Sequence, residues 1–276
     1  MALGITITRT IPFYPNGVFI QWDITDPSDT GTYFFTVERS GSSGGPWETL
    51  LTDKPDIYNY VDRLATSQGA TEEAPNQLSL VRGVYYRVTC TPPSGGTNRA
   101  VDVTAVEPRL EGRQRLLKRK ILRDETVMLK KLNGVPVAVL KRRRWGTRCP
   151  KCFDKYTKES MRANCVNCYG TTFVGGYYEP IVTYAKRGTT PNIAVTTPQG
   201  KVDGATTNVT MLDIPGVQDQ DILVFLNDNR RFEIKRVLPT ELRTVTVHQR
   251  LEVNELARSG IEYRVKVDPL RIPKIF

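Results

Sequence analysis

A single histidine, His248, occurs in 276 residues. It falls on a predicted strand between Val247 and Gln249, where an imidazole is a surface or packed residue rather than a catalytic base. Nucleophile-elbow, phosphate-loop and dinucleotide-binding patterns are missing as well. The glycine pairs at 44–45, 95–96 and 175–176 lie in turns, not between a strand and a helix. Asp219 and Asp221 flank a turn with no cluster of acidic partners. These absences argue against an enzyme. No apolar run reaches the roughly 18 residues a membrane-spanning helix needs, so none is expected. The opening MALGITITRTIPFYPNG has no basic region followed by an apolar core. No secretory signal peptide is therefore expected, and the chain should be made and first used in a reducing cytoplasm. Helical periodicity is confined to one place, while strand formers and Gly, Pro, Asn and Asp turns dominate. The fold class predicted is mainly β.

Acidic residues are scarce in one region in particular. The chain carries 39 Lys and Arg against 29 Asp and Glu, a net of +10. Between Arg109 and Lys151 there are 15 basic and 3 acidic residues, a net of +12, which leaves 24 basic and 26 acidic residues elsewhere, a net of −2. A local field of that sign attracts phosphate backbones, anionic surfaces or an acidic protein partner.

Cysteine is concentrated too. Four of the five cysteines form two Cys-x-x-Cys pairs, Cys149 with Cys152 and Cys165 with Cys168, with twelve residues between the pairs. Each pair lets two thiolates converge on one cation, and two pairs complete the tetrahedral S4 shell that suits zinc. The gap is a little short for a zinc ribbon but long enough to carry the second knuckle back to the first. Pro150 and Gly170 suit the turns. Disulfides, a thioredoxin-like dithiol and an iron–sulfur cluster are the competing chemistries. The redox site would need one pair near a βαβ pattern, and the cluster a ferredoxin spacing that is missing here. Four thiolates leave no open coordination position, so the predicted Zn2+ is structural. Cys90, alone on a candidate strand, is expected to be a packed core thiol.

Residues 1–108 should form a small β-sandwich that folds alone. Strands are predicted at 5–10, 18–24, 33–39, 58–61, 85–90 and 101–106, separated by turn sequences such as TDPSDTG and SGSSGGP. Trp22 in VFIQW, and Leu80, Tyr86 and Val88 in LSLVRGVYYRVTC, carry a resemblance to the fibronectin type III family. They match its second-strand tryptophan and its Leu six residues before a Tyr, with Val two beyond. The longer stretch at 65–75, and Arg82-Gly83 where the family has a proline-containing turn, depart from it. The resemblance implies an interaction module without catalytic machinery.

Glu107-Pro108 marks the predicted boundary. The following LEGRQRLLKRKILRD reads as a basic linker helix over 109–125, with Leu110, Gln114, Leu117 and Ile121 on one face. Arg113, Arg115, Lys118 and Arg119 are its candidate phosphate or partner contacts. VMLKKLNGVPVAVLKRRRW then predicts a hairpin about Asn133-Gly134. Its second strand carries Lys141, Arg142, Arg143 and Arg144, either as further contacts or as charges guarding a solvated edge. A C-terminal β-barrel-like domain is expected over 126–276, with a zinc-binding insertion at 145–176. Its later strands are predicted at 207–212, 222–226, 231–237, 242–248 and 262–267, with a tight turn at Asp228-Asn229 and one helical turn in EVNELARSG.

Asp221-Ile222, Arg231-Phe232-Glu233-Ile234, Val245 to Gln249, Glu255-Leu256 and Ile261-Glu262-Tyr263 are together similar to the β-barrel ends of head-to-tail connector proteins of tailed bacteriophages. With the RCPKC to CYG knuckle inside, about half of the chain looks like such a virion structural protein. The resemblance implies a neck or connector subunit in a homo-oligomeric ring, touching portal, connector or tail rings and packaged DNA. It would be assembled in the host cytoplasm and would act in the virion, away from membranes. A tail or baseplate component is one alternative. A zinc-ribbon nucleic-acid-binding protein is another, although Trp145 is almost the only aromatic among the cations, so stacking platforms for single strands are few.

Overall fold

A computed structural model describes residues 4–13, 17–25, 31–62, 84–95, 99–104, 112–158, 160–162, 164–188, 196–197, 200–201, 206–242 and 245–268. The fold is mainly β, and its contacts divide the chain into two units. Residues 1–120 with 144–150 make the first, and 121–143 with 151–276 the second. The expected boundary at Glu107-Pro108, the stretch at 65–75 and Leu80 lie outside the described residues.

In the first unit β1 (Gly4–Phe13), β2 (Gly17–Thr25), β3 (Phe34–Ser40), β4 (Glu48–Pro55), β5 (Asn59–Asp62), β6 (Tyr85–Thr91) and β7 (Arg99–Thr104) form two antiparallel sheets. Their orders are β1-β2-β5 and β4-β3-β6-β7. Alternation places Phe35 and Val37 of β3, and Tyr86, Val88 and Cys90 of β6, in the core. Trp22 meets Phe35 with ring centroids 5.6 Å apart. A second tryptophan completes the cluster. Trp145, from the distant segment 144–150, stands edge-on to Tyr33 at 5.6 Å and tilted over Phe35 at 5.4 Å. Burial pushes the Cys90 thiol up to about 12, which makes it an inert packing group.

One charge is buried with these rings. Asp62 accepts from Arg39 Nη1 at 2.9 and 3.1 Å and from the Tyr86 hydroxyl at 2.8 Å. Burial first, and then the adjacent carboxylate, hold the Tyr86 hydroxyl far above its ordinary range, so it stays a donor. Strand β4 has no counterpart among the predicted strands. It lies on the edge of its sheet with most positions exposed, so its sequence shows no apolar alternation.

The helix is longer than predicted and buries a different face. α1 (Gly112–Met128) runs on into a π-helical turn, Leu129–Asn133. The buried positions here are Leu122, Thr126 and Leu129, at i, i+4 and i+7, whereas Leu117 is 47% exposed. The hairpin expected at Asn133-Gly134 is therefore the end of a helix. Gly134 is required by space, since a Cβ there would lie 2.2 Å from the Leu129 carbonyl oxygen.

Beyond it, β8 (Val135–Leu140), β9 (Ile181–Arg187), β12 (Thr206–Leu212), β13 (Ile222–Phe225), β14 (Arg231–Leu242) and β15 (Val245–Glu255) close into a barrel in the order β12-β15-β14-β13-β8-β9. The short β10 (Thr196–Thr197) and β11 (Gly200–Lys201) pair with each other outside it. Val139, Met211, Leu223, Phe232, Ile234 and Leu251 fill the interior. Ala138, Leu140, Val182, Ile222 and Val224 point the other way and are buried as well, with Tyr177, Leu256, Val265 and Val267 packed on them. Burial on both faces explains why VPVAVL and ILVF are continuous apolar runs.

Two C-terminal expectations are corrected. The sequence over Leu251 to Glu255 is strand, because Leu251 and Val253 continue the inward alternation of β15. Ile261–Arg264 is a 3-10 turn rather than a strand. Among the described residues no helix is long and apolar enough to cross a membrane.

Candidate metal centre

Strands β8 and β9 are antiparallel neighbours, and the chain between them carries both Cys-x-x-Cys pairs. Arg142 bridges Tyr177 at the base of this excursion, with the Arg143 N–H on the Gly176 carbonyl at 3.0 Å and the Tyr178 N–H on the Lys141 carbonyl at 2.9 Å. The second knuckle is drawn tight by backbone bonds. The Tyr169 N–H donates to the Cys165 carbonyl at 2.8 Å, and Thr171 donates to the Cys168 carbonyl through its N–H at 2.9 Å and its hydroxyl at 2.7 Å. From the first knuckle, the Cys152 carbonyl accepts the Met161 N–H at 2.8 Å.

Cys149, Cys152, Cys165 and Cys168 are all buried, and their sulfurs lie within 4.8 Å of one another. Zinc–sulfur bonds of about 2.3 Å give a tetrahedron with edges of about 3.8 Å, so the set is the right size for one such ion. It is too compact for a cluster of several irons. Cys152 Sγ and Cys168 Sγ are 3.1 Å apart, beyond disulfide length, and every cysteine is free. Burial raises the Cys168 thiol. At Cys165 burial acts in the same sense but is outweighed by the N–H groups of Asn167 and Cys168 and by the Cys152 and Cys168 thiols, which bring it down to about 7. Donors aimed at one sulfur favour the thiolate that a metal needs.

Gly176 was singled out only as a turn residue. Its φ is +68°, and a Cβ on it would lie 2.7 Å from the Cys168 carbonyl oxygen and 2.9 Å from the Tyr169 ring. Gly176→Ala is expected to pry the second knuckle open and to weaken metal retention by at least about tenfold, the loss typical when supporting contacts of a metal site go. Competition with a chromophoric chelator measures it, and unchanged retention would refute the close-approach argument.

The basic candidates separate into different environments. Of the two readings of this run, the solvated edge is not met, because β8, which leads into it, pairs with both β9 and β13 in the barrel. Lys141 is 6% exposed, with Nζ 3.3 Å from Gln218 Oε1. Arg142 donates its N–H to Asp221 Oδ1 at 2.9 Å and its Nη1 to Gln220 Oε1. Arg143 donates through Nε to the Tyr177 carbonyl at 3.3 Å and lies over the Tyr178 ring at 5.2 Å. Arg144 is exposed, as is Arg113 on α1. Arg115, Lys118 and Arg119 belong to α1, but their side chains lie outside the described residues. Asp221, fully buried, anchors the run by accepting from Arg142 and, at 2.8 Å, from the Gln218 N–H. The sequence placed it beside a turn but offered no sign of its partner 79 residues away.

No protein-family profile matches this chain, and no curated protein aligns with it.

Proposed function

We propose that the chain is a non-enzymatic structural subunit of a tailed-bacteriophage particle, in the neck or head-to-tail connector ring, with one structural Zn2+ held by the four cysteines. The observation that carries this reading is the closed six-stranded barrel whose β8–β9 connection holds a compact S4 site. A shell with all four positions taken by thiolates has none left for substrate, so it serves shape rather than chemistry. The strand orders β1-β2-β5 and β4-β3-β6-β7 support a fibronectin type III-like assignment of the first unit, which would make contacts outside the ring. A tail or baseplate position suits the same set of parts.

The alternative, a zinc-ribbon nucleic-acid binder, draws on the net +12 of residues 109–151. Lys141, Arg142 and Arg143 are committed to local bonds or rings, which weakens that case.

The purified protein separates these readings. A ring of several copies that survives moderate salt supports the particle subunit. A monomer whose DNA affinity falls by roughly three to five orders of magnitude between about 50 and 200 mM salt supports the nucleic-acid binder. Serine at Arg113, Lys120, Lys130 and Lys131, all exposed, is expected to leave thermal stability nearly unchanged, within about 0.5 kcal/mol per site, while impairing assembly. Normal assembly by that variant would show the helix charges to be merely solvated.

A further inference from the structure

A cavity of about 650 Å³ opens on the outer face of the barrel, within the second unit, and neither the metal centre nor the ring reading uses it. Its floor is built by strand register. Lys186 of β9 pairs with Thr210 of β12, and Thr210 pairs with Arg250 of β15, so the three side chains stand in one row across three strands. Neighbouring strands are about 4.8 Å apart, which sets the Cα atoms of Lys186 and Arg250 about 10 Å apart with Thr210 between them. His248, two residues from Arg250 and therefore on the same face, lies in the adjacent row opposite Thr240. The end of α1 and the π-helical turn supply the opposite wall through Glu125, Met128 and Asn133.

Two observations distinguish this cavity from an ordinary solvated surface. Lys186 and Arg250 are exposed cations without an ion-pair partner among the described residues. His248, half-buried, lines the same cavity and adds a third nitrogen-bearing side chain to these two. The volume lies within the range of about 300–1,000 Å³ common to small-ligand sites, and the lining is predominantly polar, with Met128 and Leu129 as its apolar members. Arg187 also borders the cavity, but its guanidinium lies 5.2 Å over the Phe232 ring. Glu125 is the one acidic group in the lining.

We propose that this cavity is a phosphate-binding site. It would take the phosphate of a small ester or of a nucleic-acid backbone. Lysine and arginine offer only donors, and the imidazole and the threonine hydroxyl can donate as well. A tetrahedral phosphate presents enough acceptor oxygens to engage a row of donors, whereas a carboxylate presents two. The proposal does not depend on the particle reading.

The sole histidine makes the test direct, because its ring gives one set of NMR signals without assignment. The full chain is titrated separately with inorganic phosphate and with a short DNA duplex, against chloride at equal ionic strength. A saturable shift of the His248 ring signals is expected. Two charge-assisted contacts are lost in K186S/R250S, so its affinity should fall at least about tenfold. Both residues are exposed, which keeps the fold intact. Glu125→Gln should act in the opposite direction, tightening binding by about threefold through removal of the opposing carboxylate. Saturation by phosphate alone assigns the site to a free ester, and saturation by duplex that phosphate displaces assigns it to a backbone. Shifts no larger than those in chloride, or saturation unchanged in K186S/R250S, would overturn the proposal.

Discussion

Trp145→Ala is expected to destabilise the first unit by about 3–5 kcal/mol, the usual cost of emptying a buried tryptophan site. Trp145 is 2% exposed and touches the rings of both Tyr33 and Phe35, so the cavity left behind would sit in the middle of the core. Amide hydrogen exchange reads the effect locally. Protection at Val37 and Val88, which pair across β3 and β6, should fall by about two to three orders of magnitude. Trp145→Phe keeps a ring in place and should lose much less. The same packing changes what a fragment of residues 1–108 should do. That fragment was expected to fold alone, but it lacks the ring that completes its core. It should therefore unfold at a urea concentration about 1–2 M below that needed for the first unit of the full chain. Equal midpoints, or unchanged exchange in Trp145→Ala, would show that the ring fills space without adding stability.

That tryptophan also marks where the sequence stops being legible. Strands β3 and β6 can be read directly, because one face of each meets a core and the pattern alternates accordingly, whereas β2 reads as an apolar run because it is buried on both faces from Gly17 to Trp22. Strand β4 cannot, because an exposed edge imposes no apolar period. Asn133-Gly134 carries a hairpin signature, yet a glycine that lets the chain pass 2.2 Å from where a Cβ would clash satisfies a helix end equally well. Local propensity could not choose between them; the packing of Leu122 and Leu129 did. The strand predicted to stop at 237 runs on to Leu242, with Pro239 inside β14 next to a register shift at Thr240/Glu241, where a missing N–H is tolerated. In the site, the four cysteines were visible because chelation fixes their spacing within short loops. Gly176, Asp221 and the burial of Lys141 were not, since each depends on a partner reached only after the chain has folded back. The row of Lys186, Thr210 and Arg250 is a product of barrel register and has no sequence motif at all.

Metal removal should have the other large effect. The chain is expected to bind one equivalent of zinc, and Cys168→Ser is expected to release it. Cys168 is fully buried, its sulfur is 3.1 Å from that of Cys152, and its carbonyl accepts both donors of Thr171, so no other thiol can take its place. Past Trp145, the two knuckles have little apolar burial of their own to hold them. Phe173 and Tyr178 are buried, but Tyr156 is 96% and Met161 74% exposed. A structural zinc site contributes an apparent 10–16 kcal/mol or so in small zinc-finger peptides, far more than so small an apolar cluster can replace. The barrel has its own interior cluster, so unfolding should stay local. Protection of the Tyr169 and Thr171 amides, which bond to the carbonyls of Cys165 and Cys168, should be lost in the variant or after chelation. Protection at Leu223 and Leu251 inside the barrel should persist. Cys90→Ser is the control, since that thiol belongs to the core of the first unit, and it should leave zinc content unchanged. Elemental analysis giving less than about half an equivalent of zinc, with all four thiols free to titrate, would reject the metal centre. Full zinc retention by Cys168→Ser would reject the ligand set.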